Sequence, residues 1–380
     1  MHDWIARHAA AIAARAEREL EALVAVSSPS GDVRGAEEAA AVAAALAPGE
    51  AAVERPACSS PNHAPDLLLR LTGTGERRLL LVGHLDTVIA HPDHQPLRRE
   101  AGRLVGSGTI DMKGGDVLAL GVLRALVERR DELAEAALLL VCDEEWRVGS
   151  FAHADRFAGF DACFCFEAGQ TAADGRDEVV VHRKAAGTVR VTAYGRSAHS
   201  GSAPDAGANA LLALAAAAQA VAGCHDPAGP HRMTAVPTVL HTGEAFNVVP
   251  DSGELVCDVR ADSDAAFAAV LAAVPGAVRG ARLEASLLRE WPGMDARGAT
   301  AGLLERASAA IGRPIAAGAR GGASDAAHFA ASIPWTVDGL GPLGGGAHAP
   351  HEHVAAASLG PRAEIALALT DVALSGPDRA

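Results

Sequence analysis

The chain is 380 residues long, enough for one or two domains with a large buried core, and it is 49% hydrophobic and 21% charged. Its formal net charge of -14 excludes a nucleic-acid-binding surface. With only two lysines, Lys113 and Lys184, among 33 basic residues, it offers no polybasic membrane patch either.

Taken in chain order, residues 1–20 carry charges such as Asp3, Arg7, Arg15 and Glu19 in an alanine-rich helical pattern. No secretory signal is expected there, and a cytoplasmic location follows. Apolar strands are expected over 79–82, 136–141 and 162–166, alternating with helical patterns such as 115–129, which describes an α/β domain with a mostly parallel sheet. From Lys184 the pattern changes. Strands over 188–194, 234–241, 254–260 and 282–288, with helices over 205–222 and 262–273, describe an inserted α+β unit with an antiparallel sheet. The expected catalytic domain is therefore 1–183 with 292–380, and the insertion is 184–291. The uncharged stretch over 206–224 holds Asn209 and Gln219 and is too polar to span a bilayer. The six cysteines form no CxxC pair and most sit in apolar runs, as reduced buried thiols do.

In a parallel sheet ligands gather at the carboxyl ends of the strands, and polar clusters stand there in this sequence. His84 and Asp86 in GHLDT lie two apart on one strand face, so the carboxylate can orient the imidazole; an ordinary strand-end hydrogen bond has the same spacing. Asp111 in GTIDMKGG sits where glycines allow a tight approach to a helix, either as a ligand or as a helix cap, and Lys113 suits a packing position. Asp143, Glu144 and Glu145 are three consecutive carboxylates whose repulsion a multivalent cation would relieve. Glu167 follows the strand over 162–166. His348, His351, Glu352 and His353 fall in AHAPHEH, which taken singly is equally a solvated loop. Together, His84, Asp111, Glu145, Glu167 and His348 make a mixed nitrogen and oxygen set suited to two Zn²⁺ ions, with Co²⁺ or Mn²⁺ as alternatives. Glu144 is left over as a general base.

The motifs GHLDT, GTIDMKGG, DEE, FEAG and AHAPHEH resemble, in order and over nearly the whole chain, those of the M20 family of metallopeptidases and amidohydrolases. That resemblance implies that His84, Asp111 and Glu167 hold one zinc and that Asp111, Glu145 and His348 hold the other. His348 is preferred over His351 and His353 by its spacing to Glu352. It also implies that Asp86 orients His84, that Glu144 is the base, and that the Asp111–Met112 peptide is cis. The insertion resembles the family's lid and dimerisation domain through GRSAHSG at 195–201, FNVVP at 246–250 and DVR at 258–260. By resemblance, His199 reaches the partner's site in a homodimer, Asn247 and Arg260 contact substrate, and Arg320, Gly321 and Gly322 open a glycine-rich substrate loop, RGGASD. The implied activity is hydrolysis of an amide next to a free carboxylate in a small peptide, as a glutamate-carboxypeptidase-like exopeptidase. The alternative substrate is an N-acyl amino acid, cleaved by a deacylase resembling acetylornithine deacetylase. Glutamate at Glu167 favours these over an aminopeptidase or dipeptidase, whose members usually carry aspartate there. A non-catalytic binding protein would have lost the base or a ligand, and none is lost.

Overall fold

The computed structural model describes residues 3–376. Two compact units are present, one of Met1–His182, Asp295–Arg320 and Ser324–Ala380 and one of Arg183–Met294 with Gly321–Ala323.

The first unit contains strands β1 (Ala52–Glu54), β2 (Leu67–Thr72), β3 (Arg77–His84), β4 (Arg98–Glu100), β5 (Arg103–Val105), β6 (Leu133–Val141) and β7 (Ala162–Cys165). Its main sheet has six strands in the order β1, β2, β6, β3, β7 and Trp335–Val337. β6 and β7 pair parallel to β3, and Trp335–Val337 pairs parallel to β7, whereas β2 pairs antiparallel with both β6 and β1. Leu79 to Val82 in β3 and Leu138 to Val141 in β6 are wholly buried, as unbroken apolar runs must be when both sheet faces are covered. The register sets His84 opposite Val141 and Val82 opposite Cys165. Three strand ends therefore release their next residues side by side.

Helices α1 (Asp3–Val24), α3 (Gly114–Leu126) and Leu359–Ser375 pack on one another, and α3 also lies against β3 and β6; α2 (Val33–Leu46) packs against α1 and β2. Nearly every residue of α3 is buried, which suits its run of small and aliphatic side chains. Gly115 is needed at its start: a Cβ there would meet the Phe166 carbonyl oxygen at 1.9 Å. The helical pattern to 129 tightens in its last turn into a 3₁₀ segment, Val127–Arg129. A small sheet in the order Gly344–Gly345, His353–Ala355, β5, β4 ties the histidine-rich loop to the approach to α3.

The second unit is a five-stranded antiparallel sheet in the order Thr234–Thr242, Ser252–Ala261, Ala185–Tyr194, Ala281–Trp291, Ala277–Val278. It shares its own core with the helix Ala210–Ala222 through Val189, Leu214, Leu255 and Cys257. That helix starts later than residue 205 because Pro204–Ala206 forms a separate 3₁₀ turn. Asn209 then caps the helix, its side chain accepting from the Leu212 N–H at 3.1 Å. The pattern over 262–273 divides in the same way into a 3₁₀ turn, Asp264–Ala266, and the helix Phe267–Ala273. All six cysteines are free. Among the described residues no helix is long and apolar enough to cross a membrane.

Candidate metal centre

Five side chains proposed as ligands converge in the first unit. His84 ends β3, Glu145 lies four residues beyond the end of β6, and Glu167 lies two residues beyond the end of β7. Asp111 comes from the turn before α3, where the Asp111–Met112 peptide is cis. Its two oxygens face different histidines: Oδ1 lies 3.2 Å from His84 Nε2 and Oδ2 lies 3.0 Å from His348 Nε2. Glu167 is 3.8 Å from His84 Nε2, and Glu145 is 3.2 Å from His348 Nε2. The His348 backbone takes a left-handed φ of 65° as it turns into the site.

Protonation follows this crowding. His84 is wholly buried, which opposes its charged form, yet hydrogen bonds with Asp111 and Asp86 hold its pKa well above the ordinary histidine range. His348 is pushed up to about 10 by Asp111 and Glu145. Burial opposes the ionised form of Asp111, but hydrogen bonds with His348 and His84 keep its pKa well below the usual carboxylate range. Protons thus collect on the nitrogens that a metal would use, and metal and proton compete for the same atoms.

Two supports escape a reading of the sequence. Asp86 does more than orient His84, whose Nδ1 lies 3.0 Å from the Asp86 carbonyl and 3.4 Å from its Oδ1. Its carboxylate also accepts the backbone N–H groups of Glu144 and Glu145, each at 3.1 Å, fixing the peptide that carries the candidate base and a candidate ligand. Sequence spacing gives Glu352 no role beyond marking His348. It is in fact 2% exposed and accepts three backbone N–H groups, from Gly108 and Ile110 at 2.9 Å and from Asp111 at 3.0 Å. This carboxylate therefore braces the turn that presents Asp111. Glu352→Gln keeps one acceptor but turns an NH₂ group toward an N–H donor, and metal affinity should drop about tenfold to a hundredfold. Chelator competition measures it; unchanged affinity would remove the bracing role.

Glu144 is partly buried. Burial first, and then the charges of Glu167, Asp325 and Glu145 against the attraction of His84, raise its pKa well above the carboxylate range, as suits a proton acceptor working near neutrality. Lys113 is fully buried and packs inward, its Nζ donating to the Val26 carbonyl at 2.7 Å while burial lowers its pKa to about 8.

The remaining candidates divide between the units. Arg320 donates to Gln170 Oε1 at 2.6 Å and to the Gly169 carbonyl at 3.2 Å within the first unit. In the second unit His199 and Asn247 lie on paired segments: His199 bridges Val248, and the Ser200 N–H donates to the Asn247 carbonyl at 3.0 Å. His199 Nδ1 accepts the N–H groups of Gly201 and Ser202, both at 3.1 Å, so in the neutral ring the proton sits on the outward Nε2. The carbonyls of Gly322 and Ala323 accept from Arg183, and Gly321 adjoins them with no heavy atom near its Cβ direction. Arg260 does not present an open fork, because Asp258 takes its Nε at 3.1 Å and its Nη2 at 3.0 Å.

His84, Asp111 and Glu145 offer three ligand atoms within 4.8 Å of one another, as do Cys58, Asp66 and Asp143 elsewhere. Two imidazoles, three carboxylates and a central aspartate with one oxygen toward each imidazole fit a pair of borderline divalent cations. The profile of peptidase family M20/M25/M40 matches residues 80–371. Carboxypeptidase G2 of Pseudomonas sp. strain RS-16 is 27% identical over 298 residues, covering 73% of this chain and 69% of that protein. Succinyl-diaminopimelate desuccinylase of Halorhodospira halophila is 28% identical over 318 residues, or 76% and 81% of the two chains. The fold of YXEP from Bacillus subtilis, described as a dinuclear metal binding peptidase, superposes with a TM-score of 0.68 at 15% identity, over 97% of this chain and 99% of that one.

Proposed function

The chain belongs to peptidase family M20/M25/M40, a family of metal-dependent peptidases and amidohydrolases, and from that premise we propose that it hydrolyses an amide bond next to a free carboxylate. The observation that carries this reading is Asp111, with one oxygen toward His84 and the other toward His348. His84, Asp111 and Glu167 would hold one Zn²⁺, and Asp111, Glu145 and His348 the other. When bound, the two ions supply Lewis-acid polarisation of the substrate carbonyl and a water acidified at neutral pH. Glu144 takes the proton from the attacking water and delivers it to the leaving nitrogen. Asp86 keeps that base in place through the two backbone N–H groups it accepts. His199 donates from Nε2 to the developing oxyanion.

A glutamate-carboxypeptidase-like exopeptidase is the leading form, supported by likeness to carboxypeptidase G2. Likeness to a desuccinylase supports a deacylase as the second form. A cytoplasmic homodimer formed through the second unit, with His199 acting from the partner, completes the proposal. The strand Thr234–Thr242 is an uncovered sheet edge whose Val236, Val239 and Leu240 are exposed, as are Leu211 and Leu212 on the neighbouring helix. Such an edge is normally covered or paired.

Arg260 would recognise the free carboxylate, with Asn247 and the loop from Arg320 to Asp325 beside it. Its present partner Asp258 marks a two-point carboxylate seat that a substrate would take over. Arg260→Ala should lower kcat/KM about a hundredfold or more for N-acyl amino acids and dipeptides. A panel of these substrates, each paired with its C-terminal amide, tests the whole reading. Equal hydrolysis of acid and amide would end it and favour an aminopeptidase.

A further inference from the structure

Directly after Glu144 and Glu145 the chain sets two large apolar side chains in water. Trp146 is 53% exposed and Val148 is 62% exposed, while Arg147 between them is 2% exposed. The other tryptophans are covered: Trp4 and Trp291 are each 7% exposed, and Trp335 is partly buried. Aromatic residues are only 3% of this chain, so an indole left in solvent is an unusual allocation.

The exposure does not come from a slack loop. Arg147 donates to both oxygens of Asp325, at 2.5 and 2.8 Å, and twice to Asp143 Oδ1, at 3.1 and 3.0 Å. Its guanidinium carbon lies 4.8 Å from the centre of the Phe151 ring, which stacks on His328 at 4.4 Å. The Val148 N–H donates to Ser60 Oγ at 3.0 Å and the Ala152 N–H to Ser59 Oγ at 3.1 Å. Gly149 sits so close to this seat that a Cβ would meet the Ser59 carbonyl oxygen at 2.3 Å. The backbone on both sides of Trp146 is therefore pinned. A rigidly held, exposed apolar surface binds at low ordering cost.

We propose that Trp146, with Val148 beside it, is the docking face for the acyl side of the scissile amide, and that this acyl group is aromatic or otherwise broad and apolar. The inference rests on the amide-hydrolase reading of the metal centre and names the half of the substrate that reading leaves open. Trp146 follows Glu145 directly in the chain, and adjacent Cα atoms are only about 3.8 Å apart, so its backbone adjoins the residues that carry the candidate base and a candidate ligand. The side chains that converge there, His84, Asp86, Asp111, Glu167 and His348, are all polar. Trp146 and Val148, which follow Glu145 in the chain, expose an apolar surface. A flat ring stacked on indole gains both burial and ring–ring attraction.

N-benzoyl-L-glutamate and N-acetyl-L-glutamate share the amide and the carboxylates and differ only in the acyl group. The ratio of their kcat/KM values should favour benzoyl in the metal-loaded enzyme, fall about tenfold in Trp146→Ala and return most of the way in Trp146→Phe. N-benzoyl-L-glutamate should also quench the emission of the one exposed tryptophan, and that quench should vanish in Trp146→Phe. An unchanged ratio overturns the proposal. If the wild-type enzyme cleaves neither compound, the glutamate form of the amide-hydrolase reading fails, and the quenching titration then decides the docking face alone, its absence overturning it. If Trp146→Ala instead converts a dimer to a monomer on sedimentation, the rim is an interface between copies and the proposal falls.

Discussion

Asp111→Asn should strip the protein of metal and lower amide hydrolysis by at least about a thousandfold, since both polarisation of the carbonyl and acidification of water depend on the bound ions. The carboxylate has one oxygen toward His84 and the other toward His348. Asparagine replaces one of these oxygens with an NH₂ donor that cannot ligate, so one ion loses its ligand whichever way the amide turns. The remaining side chains, two histidines, Glu145 and Glu167, also lose the negative charge that draws cations between them. Metal analysis after gel filtration, with a melting curve to establish folding, is the check. A folded variant with two metal equivalents would show that Asp111 does not bridge.

Glu144→Ala should behave in the opposite way toward metal. Two equivalents stay bound while turnover drops by about a hundredfold or more, the usual cost of losing a general base. The backbone N–H at residue 144 is untouched by the substitution, so Asp86 still holds the loop and Glu145 keeps its place. Activity within about tenfold of wild type would remove the base assignment. The same variant tests the dimer. Mixed with an equal amount of inactive His199→Ala, it should recover up to about a quarter of wild-type activity, because random exchange makes half the dimers mixed and each of those has one complete site. No recovery after verified subunit exchange would place His199 in its own chain's site or outside catalysis.

The α/β class with an antiparallel insertion was legible because each segment declares itself locally. Leu79 to Val82 must be buried on both faces, and the alternation from Thr188 to Tyr194 needs only one covered face. The candidate ligands were legible for a related reason, since each stands in a short motif at a strand end or helix start. What the sequence hid are bonds between distant residues. Glu352 reaches Gly108 across 244 positions, Arg147 reaches Asp325 across 178, and Asp86 reaches Glu144 across 58. Nothing in the local wording around Glu352 says which backbone its carboxylate will hold. Helix starts were misjudged where a cap and a 3₁₀ turn intervene, as at Asn209, because alanine-rich sequence continues the helical pattern without a break.

The brace from Glu352 to the turn at Asp111 also orders events during synthesis. A ribosome has made His84, Asp111, Glu145 and Glu167 long before it reaches His348 and Glu352, and chains begin to fold from the amino end as they emerge. Until His348 and Glu352 arrive, the turn at Gly108 to Asp111 has three backbone donors without their carboxylate, and the central aspartate lacks its second histidine. Metal loading of the candidate centre would then wait for the segment that carries His348 and Glu352, and a polypeptide abandoned before it would lack the second histidine.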